Sequence, residues 1–91
     1  MKTTSTKIVN RQGLHARPAA QLVETAGKFK SEVWLERDGL RINAKSIMGV
    51  MMLAAEQGCE LTIITEGEDE DSALDAIKAV IDSGFGELEK K

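Results

Sequence analysis

The sequence predicts an α+β fold in which helices cover one face of a single four-stranded antiparallel sheet. Two segments of alternating polarity flank an Asp38-Gly39 dipeptide, which is typical of a two-residue hairpin turn. Two other segments carry apolar residues at helical spacing along one stripe. The predicted order is β-α-β-β-α-β-α, and one sheet with three helices on the same face is the simplest way to bury those stripes.

The first predicted elements are a strand at 4–9, rich in β-branched residues, and a helix that begins at Ala16. Pro18 stands in the first turn of this helix, where its missing N–H removes no helical hydrogen bond. Gly27 follows the last apolar position of the stripe, and we expect the helix to end there.

The hairpin is predicted from strands at 31–37 and 40–44. Cross-strand pairing is expected to place Glu36 near Arg41. The apolar face of the two strands is expected to consist of Val33, Leu35, Leu40, Ile42 and Ala44.

The second half of the chain predicts three more elements and a tail. Ser46 is expected to cap a short helix that Gly58 closes. A strand follows at 61–65, and a helix then begins with acidic residues at 69–71, which suit the positive end of the helix dipole. Residues 85–91 are expected to form a C-terminal tail.

Length and composition predict a single domain over residues 1–91, with 42% hydrophobic and 30% charged residues. The lone cysteine, Cys59, permits no internal disulfide. No apolar signal segment follows the first residues, and the longest apolar stretch, 47–55, is half the length of a membrane span. We therefore expect a reduced, cytoplasmic protein that does not insert into a membrane.

Charge and aromatic content disfavour direct nucleic-acid binding. The net charge is −3 and only 3% of residues are aromatic, so duplex binding by charge and base stacking by aromatics are both poorly supported. Residues 1–45 carry nine Lys/Arg against four Asp/Glu, whereas residues 46–91 carry three against eleven. This asymmetry favours one basic face for a phosphate or an acidic partner.

The one histidine, His15, lies between a glycine turn and the start of the first helix. If it is the N-cap, the N–H groups of Ala16 and Arg17 are left without helical partners at the positive end of the dipole. A dianionic group on the imidazole would meet these donors and the Arg17 guanidinium. Neutral imidazole is also a competent nucleophile near neutral pH. The pattern therefore favours a histidine that accepts a phosphoryl group.

Other interpretations of His15 remain open at this point. On spacing alone, the simplest interpretation is a histidine that is exposed on the surface or that only caps the helix. A metal site would need a second histidine or a cysteine pair, so neither a metal nor a cofactor is expected. A binding module of the split βαβ type, such as a metal chaperone or an RNA reader, would need a cysteine pair or stacking aromatics.

Two motifs resemble one protein family. The run Gly13-Leu14-His15-Ala16-Arg17-Pro18-Ala19 resembles the active-site signature of the HPr family, the histidine-containing phosphocarriers of the bacterial sugar phosphotransferase system. The run Lys45-Ser46-Ile47-Met48-Gly49-Val50-Met51 resembles that family's regulatory-serine segment. The distance between the two runs, the chain length and the element order also fit, so the resemblance covers residues 3–83.

The resemblance implies an open-faced β-sandwich and a phosphoryl carrier rather than an enzyme. Enzyme I would pass a phosphoryl group from phosphoenolpyruvate to Nδ1 of His15, and the enzyme IIA domain of a sugar permease would receive it. The residues implied to stabilise the phosphate are Ala16, Arg17 and Pro18, with the guanidinium of Arg17 steadying it.

Ser46 has two interpretations. As an N-cap it stabilises its helix by about 1 kcal/mol over alanine. The resemblance implies that an ATP-dependent kinase, HPr kinase/phosphorylase, phosphorylates this serine. The modified carrier would be a poor substrate of enzyme I and a corepressor for a catabolite-control transcription factor. The alternative function is thus a mainly regulatory protein, in catabolite or nitrogen control, that acts through Ser46.

A carrier that docks on two unlike partners needs an apolar, adaptable surface beside its histidine. Methionine side chains suit such a surface because they repack for each partner, although they also serve as core filler. Arg17 and Lys45 are expected to meet acidic rims on the partners. The docking patch is expected to consist of Ala20, Ile47, Met48 and Met51.

Overall fold

The computed structural model describes residues 1–86. Its regular elements follow the predicted order and end in a short 3₁₀-type turn at Gly84–Gly86. They are β1 (Lys2–Lys7), α1 (Ala16–Ala26), β2 (Glu32–Arg37), β3 (Leu40–Asn43), α2 (Ile47–Met52), β4 (Glu60–Glu66) and α3 (Glu70–Asp82). No helix within residues 1–86 is both long and apolar enough to span a membrane.

The four strands form one antiparallel sheet in the order β1-β4-β2-β3. The inward positions of the sheet and the apolar stripes of the helices form one hydrophobic core. The predicted α+β class, with three helices over a four-stranded sheet, is confirmed. The fully buried large side chains at its centre include Leu22, Leu35, Leu61, Ile63, Ile77 and Ile81.

The hairpin has the predicted geometry. Asp38 and Gly39 both have positive φ, 50° and 84°, as a type I′ turn requires. Glu36 lies opposite Arg41, and the Arg41 Nε donates to Glu36 Oε1 at 3.1 Å. Leu40 departs from the expected apolar face: it is exposed, because it begins the edge strand directly after the turn.

The largest boundary differences from the sequence prediction are at β1 and α2. β1 begins and ends two residues earlier than expected. α2 ends at Met52, well before Gly58, because Ala54 has a φ of 49° that interrupts the helical path. Gly58 instead has a φ of 87° and belongs to the turn that precedes β4.

The predicted tail does not begin at Phe85. This residue has a φ of 58°, which turns the chain back, and its side chain is buried in the core. Its carbonyl accepts a hydrogen bond from the Gln21 Nε2 of α1 at 3.2 Å. The rest of the predicted tail, 87–91, lies outside the described residues.

Candidate functional site: the N-terminus of the first helix

His15 is the N-cap of α1. Its backbone is extended, with φ −80° and ψ −171°, and its carbonyl accepts the first helical bond from the Ala19 N–H at 3.0 Å. The His15 side chain does not cap the helix and is half-buried. The imidazole therefore lies at the helix terminus, outside the hydrophobic core, as the sequence predicts.

The turn before His15 is fixed by close backbone contacts. Gly13 has a φ of 67°, and a Cβ on it would lie 2.4 Å from the Ala55 carbonyl oxygen. The next residue, Leu14, donates its N–H to that same oxygen at 2.9 Å. Asn10, which is fully buried, donates from Nδ2 to the Gly13 carbonyl at 2.8 Å. These hydrogen bonds and the close contact at Gly13 hold the start of α1 in place.

The first turn of α1 presents positive electrostatic potential. The N–H groups of Ala16 and Arg17 have no acceptor within the helix, and Pro18 has no N–H to offer. The first turn holds no acidic residue that would neutralise this end of the dipole. Ala16 and Arg17 are exposed residues, whereas Pro18 is buried and anchors the turn.

α1 and α2 lie side by side in opposite directions. The segment that follows α2 contacts the segment that precedes α1 through the hydrogen bond from the Leu14 N–H to the Ala55 carbonyl. The start of α2 meets the end of α1, because the Lys45 Nζ donates to the Phe29 carbonyl at 2.9 Å. The bonds at the two ends of α2 thus involve opposite ends of α1, namely Leu14 just before the helix begins and Phe29 three residues after it ends.

This placement changes the expectation for Lys45. From the sequence, we expect its ammonium to meet the acidic rim of a partner at the docking patch beside the histidine. The structure instead holds it against a backbone carbonyl at the far end of α1, partly buried. Arg17 lies at the helix start next to His15, as expected. Of the two predicted cations, the structure therefore places only Arg17 beside the histidine.

The helix α2 exposes most of its apolar side chains. Met48 is 78% exposed, Met51 44% and Ile47 46%, whereas only Val50 is buried. The interpretation of these methionines as core filler is wrong. Met52, which the sequence analysis did not single out, is 64% exposed. Its position four residues after Met48 could have identified it, since i and i+4 share a helix face. The exposed apolar side chains of α2, namely Ile47, Met48, Met51 and Met52, are called the α2 patch below.

Ser46 caps α2, as predicted. Its Oγ accepts a hydrogen bond from the Gly49 N–H at 3.1 Å, and its backbone is extended. Ala20, the remaining predicted docking residue, is exposed on the second turn of α1.

Arg37 is a further residue that the sequence analysis missed. Its guanidinium reaches from β2 to the end of α2 and donates from Nη1 to the carbonyls of Leu53, at 3.1 Å, and Ala54, at 2.7 Å. A cation at this position also interacts favourably with the negative end of the helix dipole. Nothing in the local sequence indicates this contact, because Arg37 lies 16 residues before its first acceptor.

Comparison with known proteins places these features in a family. The family model described as "PTS HPr component phosphorylation site" matches residues 2–83. Within residues 1–86, no group of three or more His, Cys, Asp or Glu side chains is arranged to hold a metal ion.

The relatives match over most of the chain or nearly all of it. Phosphocarrier protein HPr of Cupriavidus necator is 51% identical over 89 residues, 98% of this chain and 100% of that protein. HPr-like protein Crh of Bacillus subtilis is 52% identical over 71 residues, 78% of this chain and 84% of that protein. The structure of HPr-C-His from Thermoanaerobacter tengcongensis superimposes with a TM-score of 0.94 at 48% identity, covering 98% of this chain and 100% of the other. By sequence and by fold, this chain belongs to the HPr family of phosphocarrier proteins.

Proposed function

We propose that this protein carries a phosphoryl group on Nδ1 of His15 in the cytoplasm. It accepts the group from phospho-enzyme I and passes it to enzyme IIA domains of sugar permeases. One observation carries the proposal: the half-buried imidazole stands at the start of α1 without capping it, where helix N–H groups and Arg17 meet an arriving anion.

The transfer needs no cofactor. The lone pair of Nδ1 attacks phosphorus, the N–P bond to His15 forms, and the donor's bond to phosphorus breaks with its electron pair returning to the donor. The proton of the neutral imidazole stays on Nε2. The N–H groups of Ala16 and Arg17 and the Arg17 guanidinium stabilise the added negative charge, while Pro18 presets the turn that orients them.

Phosphorylation in vitro tests this proposal. Incubation with phosphoenolpyruvate and enzyme I is expected to give an acid-labile phosphate that is absent from His15→Ala. Ser46→Ala serves as the matched control and should keep the full acid-labile label. Arg17→Ala should lower the transfer rate on the order of tenfold or more, since it removes a charge-assisted contact to the phosphate. Full labelling of His15→Ala would remove the site assignment.

We further propose that enzyme I and the IIA domains dock on the α2 patch and Ala20, with Arg17 toward their acidic residues. The exposure of four large apolar side chains on one six-residue helix supports this. Met48→Asp should raise the KM for enzyme I at least tenfold, with little change in kcat. Leu40→Asp is the control, because Leu40 is also exposed and apolar but lies on the edge strand β3.

A second proposed function is regulation through Ser46, because the chain is also similar to an HPr-like protein. An ATP-dependent HPr kinase/phosphorylase would phosphorylate this serine, and the modified protein would bind a catabolite-control transcription factor. The phosphate would add negative charge directly beside Ile47 in the α2 patch, which opposes docking of a partner with an acidic rim.

The two phosphorylations differ in chemistry and are separable. Label from ATP and the kinase should be acid-stable and absent from Ser46→Ala, but present in His15→Ala. A protein that takes the serine label and never the histidine label would be mainly regulatory. Absence of any acid-stable label with the cognate kinase would leave Ser46 as a helix cap alone.

A further inference from the structure

Three of the four methionines of this protein lie in α2. Met48, Met51 and Met52 follow the spacing i, i+3 and i+4, so they share one broad face of the helix. Their exposed fractions are 78%, 44% and 64%. The fourth methionine, Met1, is 67% exposed but lies elsewhere, with its α-amino group 3.3 Å from Glu70 Oε1. Solvent-accessible thioethers are thus concentrated on the surface that we assign to docking.

We propose that Met48, Met51 and Met52 form a reversible oxidation site through which peroxide weakens partner docking. The inference rests on the docking surface of the proposed function. It concerns how that surface is modified, and the phosphorylation of His15 does not depend on it.

The chemical step is a two-electron oxidation of sulfur. A thioether lone pair attacks one oxygen of hydrogen peroxide, the S–O bond forms, the O–O bond breaks, and water leaves after proton transfer. The methionine becomes its sulfoxide and the peroxide is reduced to water. Methionine sulfoxide reductase reverses the step with electrons from a dithiol, which ends as a disulfide, and the sulfoxide oxygen leaves as water.

Sulfoxide formation opposes docking through solvation. It converts a flexible apolar side chain into a polar one, so that burial of the patch must then remove water from a strong acceptor. The fold itself is spared, because these side chains lie outside the core. The expected result is therefore a protein that remains folded and phosphorylatable but binds its partners less well.

The test compares phosphotransfer from enzyme I before and after treatment with hydrogen peroxide. Mass spectrometry should show added oxygen on Met48 and Met52, and the KM for enzyme I should rise on the order of tenfold with little change in kcat. Dithiothreitol alone should not reverse the rise, whereas reductase with dithiothreitol should. That pair of treatments separates sulfoxides from reversible oxidation of the half-buried Cys59.

A matched variant assigns the effect to α2. The substitutions M48L, M51L and M52L keep apolar side chains of similar size and leave Cys59 and Met1 in place, so the peroxide-induced rise in KM should disappear. The double variant M48L/M52L should lose most of the rise. A rise of the same size in the triple variant, or sulfoxides on α2 with an unchanged KM, would overturn the inference. A reduced protein that is never phosphorylated by enzyme I would instead overturn the proposed function.

Discussion

The Leu14 N–H donates to the Ala55 carbonyl at 2.9 Å, and this bond joins the turn before His15 to the segment that follows α2. His15 and the end of the α2 patch are therefore held in a fixed relationship. Ser46, at the opposite end of α2, is not part of this junction.

Gly13 is the residue at this junction that tolerates substitution least. Gly13→Ala places a Cβ 2.4 Å from the Ala55 oxygen and 2.9 Å from the Glu56 Cα, at a φ of 67°. Gly58→Ala is the control: its φ of 87° carries similar backbone strain, yet its Cβ would meet nothing within 4 Å. In urea unfolding we expect a loss of about 1–2 kcal/mol for Gly58→Ala. For Gly13→Ala the overlap should cost about 1–3 kcal/mol more. Equal losses of unfolding free energy in the two variants would show that the loop after α2 moves aside without destabilising the protein.

Arg37 is expected to stabilise the end of α2 and, through it, the α2 patch. Arg37→Met keeps the apolar stem but removes both bonds to the carbonyls of Leu53 and Ala54. The free energy of unfolding should fall by about 1.5–3 kcal/mol, the range for bonds to a charged group. Arg41→Met, which removes only the exposed ion pair with Glu36, should cost less than about 1 kcal/mol.

A kinetic measurement separates local from global effects of Arg37. Since α2 frays first when its C-terminal carbonyls lose their donor, hydrogen exchange of the α2 amides should accelerate in Arg37→Met more than exchange in β4. Uniform acceleration through the whole molecule would argue against a specific role at α2.

The capping and charge roles of Ser46 are separable by substitution. Ser46→Ala removes the acceptor for the Gly49 N–H and should cost about 1 kcal/mol in thermal or urea unfolding. Ser46→Asp keeps an N-cap acceptor, so stability should change by less than about 0.5 kcal/mol. The added charge of Ser46→Asp should nevertheless raise the KM for enzyme I, an effect that Ser46→Ala should not show. A normal KM in Ser46→Asp would contradict docking across Ile47.

Asp69 makes the stability of the folded protein depend on pH in the acidic range. The Ser31 hydroxyl and the N–H groups of Lys30 and Ser31 donate to its carboxylate, and these bonds lower the Asp69 pKa from 3.8 to about 2. Because the pKa is lower in the folded state, the stabilisation is complete above about pH 4 and is lost as pH falls toward 2. The difference in unfolding free energy between the protein and Asp69→Asn should therefore be largest above pH 4 and narrow below it.

A second variant checks the cause of this dependence. Ser31→Ala removes the donor that lowers the Asp69 pKa most, so an NMR titration of the Asp69 carboxyl should show a higher midpoint. An unchanged midpoint would assign the shift to the backbone donors instead.

The sequence by itself determined the features that depend on residues a few positions apart. The glycine turn before His15, the Ser46 cap and the type I′ turn at 38–39 all follow from local backbone preferences and short hydrogen bonds. The apolar periodicities likewise determined the element order, because one buried face imposes its spacing on each helix and strand.

Only the tertiary structure decided which distant segments meet. It inserted β4 between β1 and β2, buried Phe85, drew the Lys45 ammonium to the end of α1, and brought Arg37 to the carbonyls that close α2. Each of these contacts joins residues far apart in the chain or depends on the shape of the assembled core, so no local preference specifies it. The relative positions of His15 and Ser46 are likewise a property of that packing.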